Sequence, residues 1–398
     1  MKYVVLLCDG MADLPVAELG GKTPMQAAHK PNMDSLAKAS MLGMCKTVAD
    51  GLKPGSDVAN LSVLGYDAKT CYSGRSPLEA ANLGIELTDS QIALRCNLVT
   101  LSDAENYADR VMVDYCGGDI TTEEADELIK ALEKEFGDNT RHFYTGVQYR
   151  HCLVVEDGKL GLQLTPPHDI SDKVVGEYLS KVPEAKQFIE LMEQSVKVLE
   201  NHPVNKKRVA EGKRPANSAW FWGEGKRPNL EKFYDKFKVK GAVVSAVDLI
   251  RGIGKLADMQ VAVVDGATGY IDTNFEGKAA AAIDLLKTND FVFIHLEAPD
   301  ECGHRGEIAN KVKAIELIDE KVLAPVTEAL EQYDDYKILI MPDHPTPLSI
   351  KTHSAAPVPF MIYQKSVAKE GAVFTEENAE KANNYIENSG DLMPMFIG

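Results

Sequence analysis

Five short apolar runs recur along the chain, at residues 3–7 (YVVLL), 259–264, 291–296 (FVFIHL), 337–341 (KILIM) and 358–363. They are continuous and rich in β-branched residues, the pattern of strands buried on both faces of a parallel sheet. Three of them run straight into acid: 3–7 into Asp9, 291–296 into Glu297 and Asp300, and 337–341 into Asp343. Helical patterns lie between the runs, and the one over 307–333 contains Pro325, where it is expected to kink or break. Strands alternating with helices predict a doubly wound α/β sheet, which binds its ligands outside the carboxyl ends of its strands. The acidic strand ends are therefore expected to converge.

The middle of the chain is patterned differently. Residues 92–100 (IALRCNLVT) alternate apolar with polar, 121–136 form an amphipathic helix with acids in its first turn, and 141–156 alternate again. The stretch 201–227, which holds both tryptophans in Trp220-Phe221-Trp222, is the most basic and least periodic. Its tryptophans could anchor a core or hinge a lid, and the core reading is favoured. Residues 89–204 thus read as a smaller α+β domain inserted into a larger one made of 1–88 and 205–398.

Composition narrows the partners. The 398 residues are 44% hydrophobic and 26% charged, and 60 acids against 43 Lys and Arg leave a net charge of -17. Such a surface repels phosphate backbones and anionic lipid, so neither nucleic acid nor membrane is an expected partner. An acidic protein that binds an anion must concentrate cations locally, as metal ions or clustered Arg and Lys. The seven cysteines form no CxxC pair, and no apolar run reaches 18 residues, which together suggest a cytoplasmic protein. No nucleotide-binding motif of the GxxxxGK[ST] type occurs, and nothing in the pattern points to an obligate protein partner.

Candidate chemistry gathers at the acidic strand ends. Asp300 and His304 have D-x-x-x-H spacing, Asp343 and His344 are adjacent, and His353 precedes the last apolar run. With Asp9 they make a set of oxygen and nitrogen donors suited to manganese, zinc or magnesium. Each Asp taken alone could equally cap a helix or form a turn. Ser56, after Pro54-Gly55, stands where a helix begins. There it is either a nucleophile beside unsatisfied N–H groups or a plain N-cap, with Ser62 a weaker candidate. Arg75 lies in a Ser-Gly-Arg-Ser-Pro loop, and Arg95, Arg150 and His151 lie on or near strands of the insert, where they could bind phosphate or carboxylate.

Asp9-Gly10, Pro54-Gly55-Ser56-Asp57-Val58, Gly74-Arg75-x-Pro77-Leu78-Glu79-Ala80, Asp300-x-x-x-His304, Asp343-His344-x-Thr346-Pro347 and His353-Ser354-x-x-Pro357-Val358-Pro359 occur in that order. Together they resemble the archaeal type of cofactor-independent phosphoglycerate mutase, in the alkaline phosphatase superfamily. The resemblance implies a metal-binding, phosphatase-like core interrupted by a substrate-binding domain, and interconversion of 3- and 2-phosphoglycerate through a phosphoserine on Ser56. It implies two divalent ions, manganese foremost and otherwise zinc, magnesium or cobalt, with no bisphosphoglycerate. Asp9, Ser56, Asp343 and His344 would surround one ion, and Asp300, His304 and His353 the other. Arg75, Arg95, Arg150 and His151 would hold the small phosphorylated substrate. The chain departs from the family pattern at Ser76 and Asp119. Its Trp-Phe-Trp-Gly-Glu-Gly segment resembles a bacterial branch proposed to act as a homoserine kinase, the alternative function.

Overall fold

The computed structural model describes residues 1–367 and 369–398. The chain forms two compact units, Met1–Tyr72 with Asn229–Gly398, and Ser73–Pro228. In chain order the strands are β1 (Lys2–Cys8), β2 (Met41–Cys45), β3 (Ile92–Leu101), β4 (Met112–Asp114), β5 (Arg141–Val147), β6 (Arg150–Val155), β7 (Ser218–Lys226), β8 (Gly241–Val244), β9 (Gln260–Ala262), β10 (Phe291–Leu296), β11 (Tyr336–Met341), β12 (Val358–Gln364) and β13 (Tyr385–Ile386).

The larger unit holds an α/β sheet of order β13-β2-β12-β11-β1-β10-β8-β9. β11, β1, β10, β8 and β9 run parallel, and all side chains of β10 are buried, as a strand covered on both faces requires. On one face Val4, Leu6, Val292, Ile294, Ile338 and Ile340 pack with Ala314, Ile318 and Val322. Each fully buried aliphatic side chain there contributes roughly 1.5–3 kcal/mol.

Two strands differ from the buried, parallel pattern read in the sequence, one in direction and one in burial. β12 pairs antiparallel with both β11 and β2. β9 is a short edge strand, not one buried on both faces, and Val263 beyond it is 74% exposed. The helical stretch with Pro325 is interrupted ahead of the proline. Helix Ile308–Ile318 widens into a π turn at Asp319–Leu323 and resumes as Ala324–Leu330, with Pro325 in its first turn, where its missing N–H is tolerated.

The smaller unit is an antiparallel sheet of order β4-β3-β6-β5, with β7 also paired to β3. Helices Thr122–Phe136 and Lys186–Leu199 cover one face, where Leu128, Ile129, Phe188 and Leu191 meet Leu94, Cys96, Leu153 and Phe221. Thr121 caps the first of these with a reciprocal Glu124 capping box. Helix Ser76–Asn82 packs on the opposite face, Ala80 against Ala93, Cys152 and Val154.

This unit is wider than the 89–204 expected. β7 pairs with β3 from Ile92 to Val99, which draws the stretch at 201–227 into the sheet and makes Trp220 a core residue, 1% exposed. Ser76, a departure from the family pattern, uses its hydroxyl to bond Gly223 O and so ties its helix to β7.

Candidate metal and active site

β1, β10 and β11 are adjacent and in parallel register, so Asp9, Asp300 and Asp343 emerge at the same edge of the sheet. Gly10 lets the chain turn directly past Asp300. Its φ is +63°, and a Cβ there would lie 2.6 Å from Asp300 Cα. The Gly10 N–H donates to Asp343 Oδ1 (3.3 Å), joining two of the strand ends.

Asp300 and His304 lie one turn apart on helix Ala298–Arg305, and their side chains meet at 3.2 Å. His353 Nε2 is 3.5 Å from Asp300 Oδ1 and 2.9 Å from His304 Nε2. Donor atoms of this trio all fall within 4.8 Å of one another, as do those of Asp9, Asp300 and His344, and of Asp9, His295 and Asp343. His344 Nε2 is 3.4 Å from Asp343 Oδ2 and 3.7 Å from Asp9 Oδ1.

Ser56 is the first residue of helix Ser56–Val63, the cap position belongs to Gly55, and it is Asp57 Oδ1, not the Ser56 hydroxyl, that accepts a first-turn N–H, that of Val58 (2.8 Å). The Ser56 hydroxyl faces His344 Nε2 (3.2 Å) and Asp9 Oδ2 (3.5 Å) instead. The plain N-cap reading is thereby excluded. Ser62 is a buried residue of the same helix.

The electrostatics are those of a cation site. Burial, reinforced by the charges of Asp343 and Asp300, pushes the Asp9 carboxyl well above its usual range. Burial also opposes the charge of Asp300, but hydrogen bonds to His304 and His353 outweigh it and hold that carboxyl well below its usual range. The bond to Asp300 in turn lifts His304 to about 9, while burial lowers His344. Asp9 Oδ1 is buried with no hydrogen-bond partner among the described residues. An orphaned buried carboxylate oxygen, two imidazole nitrogens in contact and three converging acids fit divalent ions with oxygen and nitrogen ligands.

Three contributors were given no role by the sequence reading. His295 Nε2 is hydrogen-bonded to Asp9 Oδ2 (3.0 Å), and its Nδ1 meets the Ser245 hydroxyl (3.3 Å). Burial holds this imidazole down at about 4 and therefore neutral. It was hidden inside an apolar run. Asn60, one turn after Ser56, donates from Nδ2 to Asp343 Oδ2 and to Ser56 O, both at 2.8 Å. The i, i+4 spacing from Ser56 was its only signal. Thr346 bonds to Asp300 Oδ1.

In the smaller unit, Arg75 Nε lies 2.7 Å and Arg95 Nε 3.0 Å from the Glu79 carboxylate, and Arg95 stacks on Trp222 at 4.3 Å. Burial opposes the charge of Glu79, but Arg95, Arg75 and Arg150 outweigh it and hold the carboxyl below its usual range. Arg95 and Arg150 share one face of the sheet, opposite Trp222 and Asn97 respectively.

His151 does not join them, which corrects the expectation from its neighbour Arg150. Adjacent strand residues point to opposite faces, and His151 pairs with core residue Cys96 on the face covered by helix Thr122–Phe136. There it is 4% exposed, accepts the Gly146 N–H at Nδ1 (3.0 Å), and burial lowers it to about 3.

Comparison with known proteins finds relatives along the whole chain. Residues 37–205 match the family model for 2,3-bisphosphoglycerate-independent phosphoglycerate mutase. A probable enzyme of that name from Geobacter sulfurreducens is 50% identical over all of both chains. One from Methanosarcina barkeri is 48% identical over 100% of this chain and 99% of its own. Among solved structures, a Pyrococcus horikoshii protein is 31% identical with TM-score 0.82, covering 100% of this chain and 96% of its own. The cofactor-independent phosphoglycerate mutase of Thermoplasma acidophilum is 27% identical with TM-score 0.68 over the full length of both. With half its residues shared end to end with such a relative, the chain belongs to the 2,3-bisphosphoglycerate-independent phosphoglycerate mutase family.

Proposed function

We propose that this chain is an isomerase that interconverts 3-phosphoglycerate and 2-phosphoglycerate, with Ser56 as the nucleophile and no bisphosphoglycerate. The observation that carries the reading is the Ser56 hydroxyl itself, which begins a helix yet points into the buried carboxylate and imidazole cluster. Asp9, Ser56, Asp343 and His344 would hold one divalent ion and Asp300, His304 and His353 the other, with manganese the leading choice and zinc, magnesium or cobalt also compatible. When bound, such ions lower the serine pKa and offset charge on the phosphoryl group.

Ser56 Oγ attacks phosphorus, the bond from phosphorus to the substrate oxygen breaks, and a phosphoserine forms. The other hydroxyl of the retained glycerate then attacks that phosphorus and the serine oxygen leaves, so no water is consumed and no group is lost. The first N–H groups of helix Ser56–Val63 favour the negative charge at each stage. Asn60, bonded to both Ser56 O and Asp343, keeps the start of this helix in place.

The smaller unit, residues 73–228, is the substrate-binding domain in this reading, and the remainder is the catalytic domain. Arg75, Arg95 and Arg150 around Glu79 supply recognition for carboxylate and phosphate. The free cysteines support a cytoplasmic setting.

The test is turnover of 3-phosphoglycerate coupled to enolase, without bisphosphoglycerate, after chelation and again with manganese restored. Activity that disappears and returns is expected, and Ser56→Ala should abolish it while folding and metal content persist. Silence from folded, metal-loaded protein, with product formed from ATP and homoserine, overturns the mutase reading in favour of a phosphotransferase.

A further inference from the structure

Thr346 is fully buried two residues beyond His344. Its hydroxyl is bonded to Asp300 Oδ1, and the same oxygen lies 3.3 Å from His344 Nδ1. It therefore touches one candidate ligand from each ion set. We propose that Thr346 is a positioning residue that ties the two sets together and fixes the ring tautomer of His344, an inference that rests on the two-metal reading above.

A threonine hydroxyl has a single hydrogen, and an ionised carboxylate can only accept, so that hydrogen goes to Asp300. What the oxygen then offers to His344 Nδ1 is a lone pair, and Nδ1 must carry the ring proton. His344 Nε2 is left bare, facing Ser56 Oγ at 3.2 Å and Asp343 Oδ2 at 3.4 Å. A bare nitrogen is what a metal ligand needs, and the partner of the other ring nitrogen decides which one is bare. His304 is oriented by a pure acceptor too, Lys351 O at 3.0 Å from its Nδ1, which turns Nε2 toward Asp300 and His353.

The mount for Thr346 is rigid. Its carbonyl accepts from Lys311 Nζ (2.8 Å), and Lys311 is paired at 2.7 Å with Asp13, which also accepts the Leu348 N–H at 3.1 Å. The ion pair thus grips the loop on both sides of Pro347. From the other direction, a Cβ at Gly303 would lie 2.6 Å from Thr346 O, so only a glycine lets the helix that carries Asp300 and His304 seat against this loop.

Thr346→Val preserves shape and deletes the hydroxyl, and Thr346→Ser restores it. Calorimetric titration of chelator-stripped protein with manganese, and the visible spectrum of the cobalt form, read the effect without reference to turnover. Thr346→Val is expected to bind at least one ion about 10- to 100-fold more weakly and to shift the cobalt spectrum, with Thr346→Ser close to the unmodified protein. Unchanged affinity and spectrum in Thr346→Val, or no recovery in Thr346→Ser, overturns the proposal. A long-range proton–nitrogen NMR spectrum of the stripped, unmodified protein decides the matter even if the valine variant does not fold. A His344 ring protonated at Nδ1 supports the proposal and one protonated at Nε2 overturns it. Failure of the unmodified protein to bind any ion would overturn the two-metal reading separately, and the tautomer spectrum would still judge Thr346.

Discussion

Lys311→Met tests how the candidate site is mounted. Lys311 and Asp13 are 0% and 1% exposed and lie 2.7 Å apart, so neither charge has water as a substitute partner. Methionine keeps most of the aliphatic length and removes the ammonium. Asp13 then keeps only the N–H groups of Leu14 and Leu348 and the end of a buried chain, while Thr346 O loses its donor. Breaking one side of a buried pair costs about 3–5 kcal/mol, and the surviving N–H bonds place Lys311→Met near the lower end, about 3 kcal/mol. Asp13→Asn strands the ammonium and should cost about as much. The double variant removes both charges together and should cost well under the sum, a coupling of at least about 1.5 kcal/mol. Urea unfolding of the metal-stripped proteins, followed by circular dichroism, measures all four corners of the cycle. Single costs below about 1 kcal/mol, or costs that simply add, would refute the claim that this pair anchors the loop.

Three further outcomes are expected. His295→Leu should weaken metal binding about 10- to 100-fold through a loosened Asp9, whereas His295→Gln, which can still donate to Asp9, should lose less; equal affinities by calorimetry would remove His295 from the site. Arg95→Lys cannot reproduce the stack on Trp222 together with the Glu79 pairing, so the KM for phosphoglycerate should rise roughly 3- to 30-fold, and an unchanged KM would contradict the assignment of this face to substrate. His151 is held by burial at about 3 against about 6.5 when unfolded. The unfolded chain thus takes up the proton first as pH falls, and stability declines between pH 6.5 and 3 by at most about 1.4 kcal/mol per unit. His151→Asn should flatten that slope, read from urea unfolding by the fluorescence of Trp220 and Trp222 in β7, and an identical slope would show that His151 is not the buried neutral group described.

The parts of the site that could be read in advance were those attached to strand ends. Asp9 and Asp343 stand just past buried strands and Asp300 a few residues past another, and a strand buried on both faces has to deliver the polar residues that follow it at the rim of the sheet. The D-x-x-x-H spacing of Asp300 and His304 needed only one helical turn to bring them together. His295 was illegible for the opposite reason. It sits inside such a run, and only the pairing of β10 with β1 shows that its ring meets Asp9. His151 was misjudged because proximity to Arg150 in sequence means opposition across a strand, and the pairing with Cys96 decides which side it takes.

The sequence by itself determined the layered α/β class, the acids and histidines at the strand ends, and the presence of an insert, because these depend on local periodicity and on the order of motifs. It placed the edges of the insert too narrowly, since β7 is recruited by hydrogen bonds to β3 more than a hundred residues earlier, a pairing with no local signature. Tertiary structure alone decided which oxygen of Asp9 is left without a partner, that Thr346 reaches both Asp300 and His344, and that Lys311 finds Asp13 almost 300 positions away. Those contacts are short-range and directional. A buried polar group must find its partner wherever the fold brings one, and the pattern of apolar and polar positions along the chain carries no record of where that will be.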